Sequence, residues 1–201
     1  MSDIKLKVKF ESVAPMLMHN NQSCNPLNPF AKKMKAITGK RKKTDEDIEA
    51  LARIEWESGL YFNPKIGPYV PSINVEAMLR DAAKKLKKGT DVTQSIRVFP
   101  MEIPLQYNGP RDLEELKKLA YSGEKINGEQ FMDLRPVGIN QNTVMRARPR
   151  FNQWSIQFEI EADEAVFNED DIIHILAIAG SKIGLSDYRP RYGGFTFSIV
   201  K

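Results

Sequence analysis

Hydrophobic and polar residues alternate with a period of two in three stretches of the chain. Ile4, Leu6, Val8 and Phe10 alternate with Lys5, Lys7 and Lys9; Trp154, Ile156, Phe158 and Ile160 with Ser155, Gln157 and Glu159; Phe195, Phe197 and Ile199 with Thr196 and Ser198. Successive side chains of a strand point to opposite faces, so each stretch predicts a strand with one buried and one wet face. A longer period marks the helices. Thr44 ahead of Asp45, Glu46 and Asp47 has the form of a capped helix start, with carboxylates at the end the dipole favours; Ile48, Leu51 and Ile54 follow, and Gly59 supplies a stop. A second helix opens near Ser72 and buries Val75, Met78, Leu79, Ala82 and Leu86. It closes at Lys87 and Lys88, with Gly89 in the left-handed cap. A short helix is expected over 112–121 and a last one over 168–183, with Ile172, Ile173, Leu176 and Ala179 facing inward.

The final fifty residues thus read strand, helix, strand, a β-α-β unit for which a right-handed crossover is expected. With the first strand added, the pieces predict an α+β fold: a ferredoxin-like, RRM-like sheet with helices on one face and the other face open to a ligand. The stretch 19–43 reads as a long basic loop. Pro100, Pro104, Pro110, Pro136 and Pro149 break 89–150 into short pieces, expected to form an irregular, hairpin-rich insertion or lobe. Residues 1–201 are read as a single domain, which 201 residues of 41% hydrophobic content can build.

Charge changes the picture. Residues 1–43 hold ten basic side chains against Asp3 and Glu11, a net +8, whereas the whole chain carries +4, so the remainder is net −4. Such asymmetry marks either a polyanion-binding segment or a solvated lysine-rich surface. Cys24 is the only cysteine, which excludes an internal disulfide and a thiolate cluster within one chain. No apolar run approaches the roughly 18 residues of a membrane span, and Met1 to Lys5 lack the features of a secretory leader, so a cytoplasmic protein without a membrane partner is expected. No phosphate-binding P-loop, nucleophile elbow or dinucleotide fingerprint is present, and no His/Asp/Glu grouping has metal-ligand spacing. The expected cofactor and metal are therefore none.

Three features carry candidate chemistry. Arg146, Arg148 and Arg150 share a face in extended backbone and are followed by Phe151 and Trp154. A guanidinium row tracks phosphates, and adjacent aromatics stack on bases at about 1–3 kcal/mol each. The plainer reading is an edge strand with solvated arginines and two core aromatics. Next, 188–194 couples Arg189, Arg191 and Tyr192 with Gly193 and Gly194; glycines let backbone approach a phosphate, free N–H groups bind anions, and the arginines add charge-assisted bonds. An ordinary turn is the alternative. Finally Lys32, Lys33, Lys35, Lys40, Arg41, Lys42 and Lys43, with no aromatic after Phe30, would grip phosphates without reading bases. Lys5, Lys7 and Lys9 either line the open sheet face or decorate an edge. His19, just past the first strand, is the weak candidate for a catalytic general acid or base. His174 lies in an otherwise apolar helix and is expected to be structural.

Ser12-Val13-Ala14-Pro15-Met16-Leu17-Met18-His19, Pro68-Tyr69-Val70-Pro71-Ser72-Ile73-Asn74-Val75-Glu76-Ala77-Met78-Leu79-Arg80 and Ile183-Gly184-Leu185-Ser186-Asp187-Tyr188-Arg189-Pro190-Arg191-Tyr192-Gly193-Gly194-Phe195 together resemble, in order and placement, three motifs of the RAMP superfamily. These are the RRM-like proteins that form the backbone of CRISPR surveillance complexes. The first segment looks like the family's opening strand and following corner. The second is similar to its IPGSSLKGxLR junction, and the third to its C-terminal glycine-rich loop. Ser72 and Ile73 replace the Gly-Ser of the second motif, Glu76 and Ala77 stand in place of Lys-Gly, and the third motif is one glycine short in its first half. The chain is also short for a backbone subunit, which points to a stand-alone branch such as those in phage genomes, in a bacterial cell or a phage-infected host.

The resemblance implies a non-catalytic binder of single-stranded nucleic acid, RNA in preference to DNA, that assembles side by side along the strand as a homo-oligomer. Family members that cut RNA use a histidine or aspartate in nearby loops, which keeps a metal-independent, RNA-processing endoribonuclease as an alternative. A third reading is a phage counter-defence or interaction protein that docks on a protein partner or sequesters a small nucleotide.

Overall fold

The computed structural model describes residues 3–125, 128–139 and 142–200. Met1 and Ser2, at the start of the stretch read as lacking a leader, lie outside them, as do 126–127 and 140–141 within the expected insertion. The chain runs β1 (Asp3–Ser12), β2 (Met16–Leu17), α1 (Pro29–Thr38), α2 (Asp45–Gly59), β3 (Phe62–Asn63), β4 (Gly67–Pro71), α3 (Ser72–Ala83), α4 (Gly89–Ser95), β5 (Ile96–Phe99), β6 (Glu102–Pro104), β7 (Gln106–Tyr107), α5 (Leu113–Ser122), β8 (Met132–Ile139), β9 (Asn142–Phe151), β10 (Trp154–Asp163), α6 (Glu169–Ile178) and β11 (Phe195–Val200).

The central sheet has the order β11-β1-β10-β5, every neighbouring pair antiparallel, with β7 added alongside β10. Taken with α3 and α6, this is the β-α-β-β-α-β succession of a ferredoxin-like fold, with β1 lying between the two strands that α6 connects. The fold is α+β, as the alternating patterns imply. Leu6, Val8 and Phe10 of β1 and Ile156, Phe158 and Ile160 of β10 join Val75, Met78, Leu79 and Ala82 of α3 and Ile172, Ile175 and Leu176 of α6 in one buried cluster. Phe10 stacks on Phe195 at 3.8 Å between ring centroids and meets Phe158 edge-on at 4.7 Å. Burying each such side chain contributes roughly 1.5–3 kcal/mol.

The other sheet face is polar, and its register neutralises it. Lys5 stands opposite Glu161, Lys7 opposite Glu159 and Lys9 opposite Gln157, while Arg97 of β5 faces Glu161 from the far side. Lys5 and Glu161 form an ion pair. The strand-one lysines do line the open face, but interleaved with carboxylates rather than as a bare cationic strip.

Several expectations need correction. The stretch 19–43 is not a loop throughout: a 3-10 turn covers Asn21–Cys24, and α1 follows. Asn28 caps α1 by accepting the Phe30 N–H at 2.9 Å, and Pro29 occupies the first turn, where its missing N–H is harmless. Phe30, Ala31, Met34 and Ile37 then fall on one half-buried stripe, leaving Lys32, Lys33 and Lys35 exposed. The left-handed cap after α3 is Lys87, with φ 61°, and Gly89 instead opens α4. Ile48 is exposed although its spacing matched the inward stripe of α2. His174 is exposed on α6 rather than packed within it.

The expected insertion over 89–150 contains β5, a strand of the central sheet, so the departure from the ferredoxin-like core begins after Phe99. Beyond it, β8 and β9 pair as a hairpin, with β2 on the other side of β9. Pro136 is accommodated on the outer strand of that sheet. The hairpin is anchored on α2, where the fully buried Trp56 donates its indole N–H to the Phe131 carbonyl at 2.7 Å. Among the described residues no helix is long and apolar enough to cross a membrane.

Candidate nucleic-acid interface

The corner that follows β1 and the loop that precedes β11 are stitched together by backbone. Gly193 donates its N–H to Pro15 O at 2.8 Å, Val13 N–H and Ala14 N–H both reach Gly194 O, and Asp187 N–H reaches Leu17 O at 2.9 Å. Gly193 has φ +74°, and a β-carbon there would stand 1.9 Å from the Leu185 carbonyl oxygen, so glycine alone fits. This corrects the expected role of the glycine: its N–H is consumed inside the fold and is not offered to an anion. Gly193 holds the loop in place.

The loop so placed forms one wall of a polar concavity of about 190 Å³. Ser186, Asp187 and Arg189 face His19 and Asn21 from the first corner, and Asn74 and Ala77 from α3, with Tyr61 closing one side. All three family-like segments therefore meet at a single place. His19 is exposed at the rim, and its carbonyl accepts the Tyr61 hydroxyl at 3.3 Å.

Beside this concavity the β8-β9 hairpin presents its arginines. Arg146, Arg148 and Arg150 alternate with the buried Ala147 and Pro149, so they do share a face. They are not a bare guanidinium row, however. Arg148 donates from Nε to Asp187 Oδ2, Arg146 pairs with Glu55 of α2, and Arg150 donates to Asn152 at 2.7 Å and lies 3.6 Å from Asp133. Each positive charge is matched by a carboxylate from elsewhere in the chain, and Arg148 is nearly enclosed.

Sequence inspection missed Arg135, which stands opposite Arg146 on β8. Its guanidinium lies 4.7 Å from the Tyr192 ring centroid and 5.2 Å from that of Tyr188, forks onto Asp133, and donates to the Tyr192 hydroxyl. The hydrogen bonds to Asp133 raise its pKa further above the ordinary guanidinium value. Tyr188, with φ 59°, remains 40% exposed beside Arg148 and Arg135. The paired alternation Asp133, Arg135 against Arg146, Arg148 is the signal that was available, but it acquires meaning only once the hairpin register is known.

The other expected contacts are distributed unevenly. Phe151 is 1% exposed and packs edge-on against Tyr107 at 4.9 Å, so it is a core residue with no surface for a base. Trp154 is likewise buried, donating its indole N–H to Ala14 O at 3.0 Å. Arg189 reaches Asp81 of α3 at 3.4 Å, and Arg191 is exposed. Asn20 N–H bonds to Gly59 O, which fixes the C-terminal end of α2 beside the concavity. Lys40, Arg41, Lys42 and Lys43 precede the opposite end of that helix, about 20 Å away at 1.5 Å per residue. Lys40 pairs with Asp47 at 2.6 Å. Among the described residues no group of His, Cys, Asp or Glu is arranged to hold a metal ion.

No family model and no curated protein matches this sequence. A solved structure does match: a chain of the Type III-B Cmr-β assembly, determined by cryo-EM bound to cognate target RNA, superposes with a TM-score of 0.52 at 13% identity. The superposition covers 99% of this chain and 59% of that one, so the chain spans about three fifths of the length of its structural match. At that identity the likeness concerns the fold, and it extends over the whole chain: this protein is similar in fold to a subunit of a Cmr complex.

Proposed function

We propose that the chain is a non-catalytic binder of single-stranded nucleic acid, RNA in preference to DNA, and that the strand lies across the concavity between His19, Asn74 and Asp187. The observation that carries this is the convergence of three segments, distant in sequence, on one polar hollow flanked by Tyr188, Tyr192 and the hairpin arginines. The fold likeness to a chain of an RNA-bound assembly points the same way. In this reading Arg189 and Arg191 meet phosphates, Tyr188 supplies a stacking face, and Lys32, Lys33 and Lys35 on α1 add long-range attraction. Arg148 and Gly193 act behind the surface, holding the hairpin and loop in register, while the partly exposed Arg146 and Arg150 brace the hairpin through Glu55 and Asp133. The chain is taken as one RAMP-like unit with the β8-β9 hairpin as its appendage, and as assembling side by side along a strand.

Fluorescence anisotropy with labelled single-stranded RNA and DNA across a salt series tests the proposal. Affinity should fall with salt by roughly 0.7 log units per log unit for each phosphate contact. An absence of binding at low ionic strength, or affinity indifferent to salt, defeats it.

One observation favours a second reading, endoribonuclease activity: His19 is solvent-exposed in the same hollow as Asp187. Asp187 is tied to Arg148 rather than to His19, and binding is the better-supported reading. Cleavage of labelled RNA in chelator by wild type, lost in His19→Ala, would reverse that order.

A further inference from the structure

At the far end of α3 a second concavity opens between that helix and α4. It is larger, about 470 Å³, and is lined by Arg80, Lys84, Lys87, Thr90, Thr93 and Gln94. Three cations, two hydroxyls and an amide meet there, and among the described residues no carboxylate lines it. Asp81 pairs with two of these cations and with a third from the loop before β11: it lies 2.9 Å from Lys84, 3.5 Å from Arg80 and 3.4 Å from Arg189. One carboxylate shared among three cations leaves each of them only partly compensated by Asp81.

Two details describe how its cations are held. Lys87 adopts φ 61° and ψ 18°, a left-handed conformation that a side-chain-bearing residue holds only at an energetic penalty and that glycine adopts freely. This is the left-handed residue of a helix C-terminal cap, closed by the Lys88 N–H to the Ala83 carbonyl at 2.9 Å, and it brings the Lys87 side chain to the wall of the hollow. The Arg80 Nε is shut off from solvent with no hydrogen-bond partner among the described residues, so the guanidinium is poorly satisfied by the protein itself. Gly89 lies directly against the Lys84 stem, where a β-carbon would approach its Cγ to 2.7 Å.

The two hollows lie along the same helix. Asn74 and Ala77 line the first and Arg80 and Lys84 the second, so the same side of α3 runs from one to the other over about 15 Å. Arg189 of the first contacts Asp81, which contacts Lys84 of the second.

We propose that the Arg80–Lys84–Lys87 concavity is a second phosphate-binding subsite, occupied by the sugar-phosphate backbone of the strand as it leaves the first hollow along α3. The identity of the strand rests on the nucleic-acid reading above; the affinity for phosphate groups does not.

The test compares wild type with a Lys84→Ala, Lys87→Gly double variant, and with Lys65→Ala, Lys118→Ala as a control for generic loss of charge. All four lysines are exposed, and Lys87→Gly relieves the left-handed backbone, so folding is preserved and is checked by thermal melting. Anisotropy is read on single-stranded RNA of about 5 and about 15 nucleotides, lengths that bracket a short and a full site. The expected result is about a tenfold or greater loss on the longer strand, a salt slope smaller by about 1.4, little change on the shorter strand, and no such pattern in the control. Unchanged affinity and slope on the longer strand overturn the backbone assignment. A second arm titrates inorganic pyrophosphate by thermal shift. Stabilisation of wild type that the double variant lacks, without any effect on strand binding, assigns the subsite to a free phosphate-bearing ligand instead. If wild type binds no strand at all, the proposed function fails and the pyrophosphate arm alone decides the subsite; silence in both arms removes it.

Discussion

Arg148 in the β8-β9 hairpin donates from Nε to Asp187 in the loop before β11, a bond between residues 39 positions apart. With the Arg135 bond to the Tyr192 hydroxyl, it joins the hairpin and the glycine-rich loop into one surface. Asp187 also bonds through its N–H to Leu17 O, so the same residue secures the loop to the first corner. With the Arg148 side chain 11% exposed, loss of either partner leaves a poorly hydrated charge behind.

Arg148→Ala should therefore lower stability by about 1–3 kcal/mol, measured by urea denaturation. Nucleic-acid affinity should fall as well, because Tyr188 and Arg189 follow Asp187 directly. Arg148→Lys, which keeps charge but loses the planar donor geometry, should recover only part of either effect. Full retention of affinity in a folded Arg148→Ala protein would separate the hairpin from the binding surface.

Gly193→Ala should destabilise by more than about 2 kcal/mol. The added methyl combines a left-handed backbone penalty with a 1.9 Å approach to the Leu185 carbonyl, which no side-chain rotation relieves. Chemical denaturation checks this. A near-neutral outcome would show that the loop is free to move, contrary to the four backbone hydrogen bonds that tie it to the first corner.

The lysines of α1 should act at a distance. Replacing Lys32, Lys33 and Lys35 together with glutamate leaves the half-buried stripe of Phe30, Ala31, Met34 and Ile37 untouched, so the fold should melt within about 0.5 kcal/mol of wild type. Association with RNA should slow severalfold at low salt and converge with wild type at high salt. Stopped-flow mixing separates this effect from a change in dissociation.

Acid should weaken the start of α6. The Lys88 ammonium and the Asn168 N–H both hydrogen-bond the Asp171 carboxylate and hold its pKa below the ordinary 3.8. A carboxyl lowered by folding contributes stability above the unfolded value and loses it as pH falls through the folded one. Asp171→Asn should thus be less stable than wild type at pH 7, with the gap closing below about pH 4. Denaturant titrations at several pH values measure the gap; a constant difference from neutral to strongly acidic pH would refute the assignment.

Much of this architecture is legible in the order of residues because amphipathic burial is a local signal. β1, β10 and β11 announce themselves by period-two alternation, α2 by its cap and helical spacing, and α3 by its helical spacing, all within windows of a dozen residues. β5 does not: four residues between α4 and a proline are too few to show a period, and they become a strand because β10 has an edge to pair with. α1 has an Asn-Pro cap, but its apolar stripe of Phe30, Met34 and Ile37 is interleaved with lysines and only half buried, so its helical period is weak in the sequence.

For the candidate site, the chain alone determined which residue types lie where: an arginine row, a glycine-rich loop bearing arginine and tyrosine, a histidine after the first strand. Tertiary structure decided what those groups can do. Glu55 reaches Arg146 across 91 positions, and Asp187 reaches Arg148 across 39, turning a cationic row into a brace. Gly193 is recognisable as a backbone special case anywhere, yet only the nearness of Pro15 shows that its N–H is taken. The physical reason is common to all three. Backbone preference and burial pattern act between near neighbours in the chain, whereas the availability of a charge or a donor depends on which partner folding brings within about 3 Å.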